Sequence, residues 1–298
     1  MTPASLLHFA EALLWCALLF LSIAGYGAIF LRLFGLHRPS IALAATSGVG
    51  VVIFLGGCLN LLHAITIPIL LTLIVLGLLA AILLRITITE PRVPGQPDQS
   101  SQAANLHKPS SRTIKILILL LAILFLARVG ASVRAGQYQA SDDFNYYLAA
   151  PLKTLQLHHY AADPFSERRI MTSIGGSYFL QTMVLAVLPL VNVQMADRTL
   201  GLILLAFMAY GLANEFRLTR VQRLVFALLV LFTPQLQFNL TFVLLPSALF
   251  FGLVYLAANR KLYAEHPTLL ALLLGMVTGA VDRDSYPRSH SLLLERRS

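Results

Sequence analysis

The chain has 298 residues, 57% of them hydrophobic and only 12% charged, and its mean hydropathy is +0.76. Soluble domains carry roughly 25% charged residues, so this composition excludes an ordinary soluble protein and indicates an integral membrane protein. The net charge of +9 fits contact with anionic membrane lipids. It does not predict nucleic-acid binding, because the basic residues lie at the ends of apolar blocks and not along one soluble face.

Apolar blocks separated by short polar stretches run along most of the chain. A bilayer core about 30 Å thick needs roughly 20 apolar residues per helix, and backbone polar groups inside it must be bonded internally. We therefore expect an all-α fold, a polytopic transmembrane helix bundle with about eight or nine apolar segments. The blocks are 11–34, 41–62, 65–86, 114–130, 174–192, 199–214, 223–236, 243–258 and 267–281.

One polar stretch with four prolines, residues 87–112, predicts a flexible cytoplasmic linker. It separates an N-terminal three-helix membrane unit, 1–86, from a second membrane domain, 113–281. The polar tail 282–298 has no helical periodicity, and its abrupt start predicts a frameshifted or truncated reading frame, with an ordinary cytoplasmic tail as the alternative. Small residues predict close helix packing in the first unit: Gly25, Gly27, Ala44, Ala45, Gly48, Gly56 and Gly57.

Lys and Arg near the ends of the apolar blocks predict the orientation in the membrane. Basic residues flank the first loop and occupy the linker, which predicts that both are cytoplasmic and that residues 131–172 form an extracytoplasmic loop. The basic residues in or next to that loop oppose this orientation, and they are Arg128, Arg134, Lys153, Arg168 and Arg169. The basic stretch 217–223 conflicts with this arrangement, because simple alternation from an external 131–172 would put it outside. A re-entrant or interfacial block 174–192 would restore the parity, and the sequence leaves this point open.

Residues 142–157 have the periodicity of an amphipathic helix, with apolar side chains on one face. We expect this helix to lie in the membrane interface and to be kinked at Pro151, since an interior proline loses a backbone hydrogen bond. The apolar face consists of Phe144, Tyr147, Leu148, Pro151, Leu152 and Leu155.

Two adjacent carboxylates, Asp142 and Asp143, open this predicted helix behind Ser141. Ser141 is a good N-cap, and each aspartate in the first turn would add about 0.3–1 kcal/mol of stability. Capping needs at most one acidic residue, however, and two adjacent carboxylates repel each other. The pair therefore also predicts a divalent cation site or a general base for an acceptor hydroxyl.

Other residues suggest binding with less specificity. Arg168 and Arg169 match the oxygens of a phosphate group in a lipid donor, and they equally fit a headgroup contact or a local salt bridge. His158 and His159 do not predict a metal site, because adjacent side chains in a helix diverge by about 100°. The sequence has no P-loop, Ser/His/Asp set or Gly-rich nucleotide fingerprint, which argues against a soluble nucleotide-sugar mechanism.

The order of these features resembles the GT-C-type glycosyltransferases, such as the protein O-mannosyltransferases and the lipid A aminoarabinose transferases. The similar part covers residues 114–262, where an apolar helix precedes an external loop with an acidic pair, and Tyr146 and Pro151 follow. The resemblance implies that Asp142 and Asp143 bind a divalent metal, Mg or Mn, or act as a base. It also implies that the sugar arrives on a polyprenyl phosphate from within the bilayer.

Three departures from that family are visible. The stretch SIGGSY, residues 173–178, lacks the lysine of a related motif, and three spans precede the catalytic-type helix where the best-known members have one. Some relatives have an acidic residue in a later external turn, and this chain has amide side chains there. They are Gln235, Gln237 and Asn239.

We therefore expect a multi-pass glycosyltransferase of a bacterial inner membrane, complete or partial. It would transfer a sugar from a polyprenyl-phosphate-linked donor to an extracytoplasmic acceptor, with Tyr146, Arg168 and Arg169 contacting the substrates. One alternative is a transporter or lipid flippase, which predicts ionisable residues near the middle of the spans, where the sequence has almost none apart from Glu11 near one end. Another is a non-catalytic assembly subunit, favoured if the acidic pair only caps a helix. No protein partner is indicated.

Overall fold

A computed structural model describes residues 3–36, 39–84, 111–134, 148–160, 176–216, 218–232 and 244–275. In these ranges the protein is helical and has no strand, so the predicted all-α fold class is confirmed. The helices are α1 Pro3–Leu33, α2 Ile41–Leu61, α3 Ile67–Leu83, α4 Ser111–Arg134, α5 Ala149–Leu157, α6 Gly176–Leu185, α7 Leu202–Glu215, α8 Arg220–Phe232, α9 Leu244–Ala258 and α10 Arg260–Glu265. A further helical stretch covers 267–275.

Four helical segments of the described chain are long and apolar enough to cross a membrane. They are Leu7–Leu33, Ile41–Leu61, Arg112–Ala131 and Leu190–Glu215. Helices α3 and α9 are also apolar but shorter. Four such segments indicate a membrane protein. The count of eight or nine spans stays a prediction, since a helix must rise about 30 Å to cross and the ten described residues of α6 rise only about 15 Å.

Helices α1, α2 and α3 pack through small residues, as the sequence predicts. A Cβ atom added to Gly27 would lie 1.8 Å from the backbone oxygen of Ala44, and one added to Gly25 would lie 1.9 Å from that of Gly77. Backbones that approach this closely leave no room for a side chain. At Gly57 no close packing is seen, since an added Cβ would have no atom of the described residues within 4 Å.

One end of the bundle contains the ends of α1, α3, α7 and α9, and we call it the basic end (residues 32–36, 39–40, 84, 214–216, 218–223 and 255–266). The Arg32 guanidinium donates a hydrogen bond to the Leu84 oxygen at 2.9 Å. The side-chain amide of Asn259 donates to Glu215 at 3.4 Å. His266 lies beside the loop after α1, with its Cε1 atom 3.9 Å from an added Cβ at Gly35.

The opposite end, which we call the distal end, is formed by residues 58–66, 128–134 and 148–160. The amide of Ile65 donates to the His158 oxygen at 2.9 Å, which joins the α2–α3 loop to the end of α5. Gly130, near the end of α4, lies beside Phe9, near the start of α1. Since the 21 residues of α2 run from one end to the other, the two ends of the bundle are about 30 Å apart.

The path between α4 and α7 answers the parity question that the sequence leaves open. Helix α4 ends at the distal end, and α6 begins there, with the rings of Tyr160 and Tyr178 5.9 Å apart. The following span, Leu190–Glu215, runs to the basic end. Helices α5 and α6 therefore add no full crossing, and the basic residues around α7 and α8 lie at the same end as Arg32.

Helix α5 covers the second half of the predicted amphipathic helix, and residues 142–147 lie outside the described residues. Pro151 is the third residue of α5, so its missing N–H removes no helical hydrogen bond and the expected kink is not seen in the described part. The face buried by protein contains Leu148, Pro151 and Thr154, whose hydroxyl donates to the Ala150 oxygen at 2.8 Å. Leu155 of the predicted apolar face is only partly buried by protein. The periodicity predicted an apolar face, but it does not tell whether lipid or protein covers that face.

Residues of both predicted membrane units share one hydrophobic core. The rings of Phe20 in α1 and Phe207 in α7 stack at 4.8 Å, and Gly56 of α2 packs on Phe179 of α6. The predicted linker lies outside the described residues except for its last two positions, which begin α4, and the predicted tail 282–298 lies wholly outside them.

Candidate functional site at the distal end

The residues predicted to carry function lie outside the described residues: Asp142, Asp143, Tyr146, Arg168 and Arg169. The helices on either side of them are described. The connection with the two aspartates runs from Arg134 to Leu148, and the one with the two arginines runs from Tyr160 to Gly176. All four flanking positions are at the distal end, so both connections leave and re-enter the bundle there.

A contact between the α2–α3 loop and α5 fixes one side of this end. The imidazole rings of His63 and His159 stack with centroids 3.9 Å apart and an interplanar angle of 16°. The amide of Tyr160 donates to the side-chain oxygen of Asn60 at 2.5 Å. Nitrogen lone pairs of parallel stacked rings do not converge on one ion. Among the described residues no group of three or more His, Cys, Asp or Glu could hold a metal.

A buried carboxylate lies where α7 begins. Asp197 is 4% exposed and belongs to a π-helix, Ala196–Gly201, that leads into α7. Its Oδ1 accepts a hydrogen bond from the Leu245 amide at 2.7 Å, and its Oδ2 accepts one from the Leu244 amide at 3.2 Å. These are the first amides of α9, which have no partner within the helix. The negative charge therefore meets the positive end of α9.

A guanidinium binds the neighbouring helix end. Arg128, in the candidate span Arg112–Ala131, donates from Nη1 to the backbone oxygen of Leu231, in the last turn of α8. The carbonyl groups of a last turn lack helical partners and form the negative end of the helix. Two charges of opposite sign thus bind the end of one helix and the start of the next.

Buried amide side chains add polar groups to the same region. Gln181 in α6 and Asn192 in the turn after it are 1% and 2% exposed. Their side-chain oxygens have no hydrogen-bond donor among the described residues. An acceptor buried in this way costs about 1–3 kcal/mol, so α6 and the following turn carry polarity that packing alone does not require.

Comparison of the chain with protein-family models, with curated proteins and with solved structures finds no match. No family is assigned on that basis, and the resemblance to GT-C-type glycosyltransferases stays a prediction.

The sequence reasoning missed Asp197 and Arg128 as interior residues. Residues 193–198 fall between the predicted apolar blocks 174–192 and 199–214, whereas in the structure they lie within the span Leu190–Glu215 and are largely buried. The available signal was a single acidic residue in a short stretch between two apolar blocks. Its partners, 47 and 48 residues further along the chain, have no signature in the sequence.

Proposed function

We propose that the chain is a membrane glycosyltransferase, or part of one, that transfers a sugar from a polyprenyl-phosphate-linked donor to an extracytoplasmic acceptor. The observation that carries the proposal is the separation of the two ends of the bundle. The basic end has five basic residues among those described, Arg32, Arg220, Arg223, Arg260 and Lys261, and the distal end has three, Arg128, Arg134 and Lys153. The connection with Asp142 and Asp143 leaves from the distal end. By the positive-inside rule, the distal end then faces away from the cytoplasm.

In this proposal the acidic pair performs the chemistry. One aspartate orients or deprotonates the acceptor hydroxyl, since a carboxylate within hydrogen-bond reach can take its proton. Two adjacent carboxylates supply the oxygen ligands that Mg²⁺ and Mn²⁺ prefer, and a bound ion would support the phosphate leaving group. Arg168 and Arg169 bind the donor phosphate, and Tyr146 contacts substrate at the headgroup level.

The proposal also includes the finer architecture expected from the sequence. The protein crosses a bacterial inner membrane about eight or nine times, and residues 142–157 form an interfacial helix in contact with lipid. The polyprenyl-phosphate donor is the one partner that the proposal requires.

A transporter or flippase is the main rival, and Asp197 and Arg128 bear on it. Both are ionisable and lie within candidate spans, as a transporter would require. Each is bound to a helix end of the same protein, however, which accounts for its charge without a transported ion. Neither residue therefore favours transport over glycosyl transfer.

The test of the proposal is sugar transfer in proteoliposomes with a polyprenyl-phosphate sugar as donor. We expect Asp143→Asn, and to a lesser degree Asp142→Asn, to lower the transfer rate roughly 10²–10⁴-fold at saturating divalent metal. Asparagine retains most capping ability, so the free energy of unfolding should change by at most about 1 kcal/mol.

Glu11→Gln is the matched control, because it also converts a carboxylate to an amide, and Glu11 is an exposed residue of α1. Its transfer rate should equal that of the wild type. Rates within a few-fold of the wild type for both aspartate variants would leave the pair as a helix start and favour the non-catalytic subunit. Absence of transfer by the wild type would contradict the proposal itself.

A further inference from the structure

Two ionisable residues inside candidate membrane spans bind the facing ends of two consecutive helices. Asp197 accepts from the first two amides of α9, and Arg128 donates to a carbonyl group in the last turn of α8. Helix α8 ends at Phe232 and α9 begins at Leu244. The two charges thus act on both sides of a single connection between helices.

The signs of the charges match the helix ends that they bind. A helix carries partial positive charge at its first amides and partial negative charge at its last carbonyl groups. Asp197 faces the former and Arg128 the latter, so each side chain binds a helix-end group of opposite partial charge. Removal of either charge leaves helix termini with poorer partners in a region where water is scarce.

Charged residues are an expensive way to hold helix ends inside a membrane protein. A serine or threonine caps a helix start without a net charge, and a buried carboxylate costs far more to desolvate. This free-energy cost of desolvation indicates that the positions of the helix ends must be fixed precisely. The π-helix that carries Asp197 supports this, because such insertions are frequent at functional sites.

The position of Arg128 connects this geometry with the acidic pair. Arg128 lies in the last turns of α4, which ends at Arg134 immediately before the connection that carries Asp142 and Asp143. A guanidinium that binds the end of α8 therefore also fixes the helix from which the acidic pair extends. Asp197 fixes α9 against α7 on the other side of the same connection.

We propose that Arg128 and Asp197 are positioning residues, which hold the distal ends of α4, α8 and α9 in the arrangement that the transfer reaction requires. The proposal rests on the proposed glycosyltransferase function. Neither residue contacts the substrate, and both act through the backbone of α8 and α9. Loss of either charge lowers turnover in the folded protein, and substrate affinity is affected much less.

The first arm of the test does not depend on activity. Hydrogen–deuterium exchange of the purified protein in lipid nanodiscs is followed by mass spectrometry on peptides that cover the start of α9. In Asp197→Asn the amides of Leu244 and Leu245 should exchange about tenfold faster, because a charged acceptor is replaced by a neutral one with a single oxygen. Unchanged exchange at these amides would overturn the inference.

The matched control is Thr199→Val. Thr199 is also buried in the π-helix, but its hydroxyl donates only to the sulfur of Met195, at 3.4 Å. Valine has nearly the same shape, so exchange at the start of α9 and sugar transfer should both equal those of the wild type. Faster exchange in this control would show that any change in the π-helix loosens α9, and it would contradict a specific role of Asp197.

The second arm measures transfer in proteoliposomes per folded molecule, with folding checked by size-exclusion chromatography. We expect kcat to fall about tenfold in Asp197→Asn and Arg128→Gln, with the KM for donor within about twofold of the wild type. Arg128→Lys retains a cation and a donor and should recover most of the turnover. It also keeps the inference testable if Arg128→Gln does not fold.

The outcomes separate the inference from the proposed function. Faster exchange with normal kcat per folded molecule would show that the two residues only stabilise the helices, which overturns the positioning role. Failure of Arg128→Lys to restore turnover above that of Arg128→Gln would also overturn it. A wild-type protein without transfer would instead contradict the proposed function, whatever the exchange of Leu244 and Leu245.

Discussion

Helices α1 to α3 meet at glycine and alanine, whereas the region of α4 and α6 to α9 has, besides close glycine contacts, buried amides and charges. In the first region an added Cβ at Gly27 would collide with backbone atoms of α2, so the helices can approach this closely only if residue 27 has no side chain. In the second region the carboxylate of Asp197 and the guanidinium of Arg128 bind helix ends. Tight apolar packing is enough to hold a membrane scaffold, so the polar region requires another explanation, and a site at the distal end provides one.

The largest effect is expected in the apolar region. Gly27→Leu places a side chain where even a Cβ atom would lie 1.8 Å from the Ala44 oxygen, and backbone cannot yield as a flexible side chain does. We expect the free energy of unfolding to fall by more than about 3 kcal/mol, since overpacking alone commonly costs 1–3 kcal/mol. Thermal unfolding in detergent would measure it.

Gly57→Leu is the matched control, because an added Cβ there has no neighbour within 4 Å in the described part of the chain. Both substitutions exchange glycine for the same good helix former, so the gain in helix propensity is the same. A loss of stability as large in Gly57→Leu as in Gly27→Leu would show that the close approach of α1 and α2 does not limit the residue at Gly27.

The same contrast explains which parts of the fold were predictable from the sequence. Apolar length predicts each helix, and runs of small residues predict where α1, α2 and α3 approach, because both signals are local. The partners of Arg128 and Asp197 are 103 and 47 residues away along the chain, and a backbone group leaves no signature in the sequence. Such pairings follow only from the fold.

The helix boundaries show a second limit of the sequence. The predicted helix 142–157 counts Pro151 as an interior residue, whereas α5 begins at Ala149 and has the proline in its first turn. The face of α5 buried against the protein includes Thr154, which hydrophobicity would assign to the polar side. Periodicity identifies the helix, but it does not identify the surface against which the helix packs. Of the predicted site, the structure describes only the flanking helices.

An intermediate effect is expected where the two regions meet. A Cβ on Gly56 of α2 would lie 2.6 Å from the ring of Phe179 in α6. Gly56→Ala should therefore lower the free energy of unfolding by about 1–3 kcal/mol, less than Gly27→Leu because an aromatic side chain can shift. Phe179→Leu in the same protein should relieve the collision. A double-mutant cycle should then give a coupling of at least about 1 kcal/mol, and strictly additive changes would contradict the contact.

The smallest effect is expected in the polar region, and it should have opposite signs at two adjacent residues of α6. The Gln181 side chain is 1% exposed and its oxygen has no donor among the described residues. Gln181→Met removes this oxygen at nearly constant shape, and we expect the free energy of unfolding to rise by about 1 kcal/mol.

Thr182 is equally buried, but its hydroxyl donates to the Tyr178 oxygen at 2.8 Å. Thr182→Val should lower the free energy of unfolding by about 0.5–1 kcal/mol, since it removes a hydrogen bond that is made. Chemical unfolding of both variants in the same detergent gives the comparison directly. A loss of stability in Gln181→Met as large as that in Thr182→Val would mean that the Gln181 amide makes a stabilising hydrogen bond in the folded protein. Gln181 would then not be a buried polar group without a structural role.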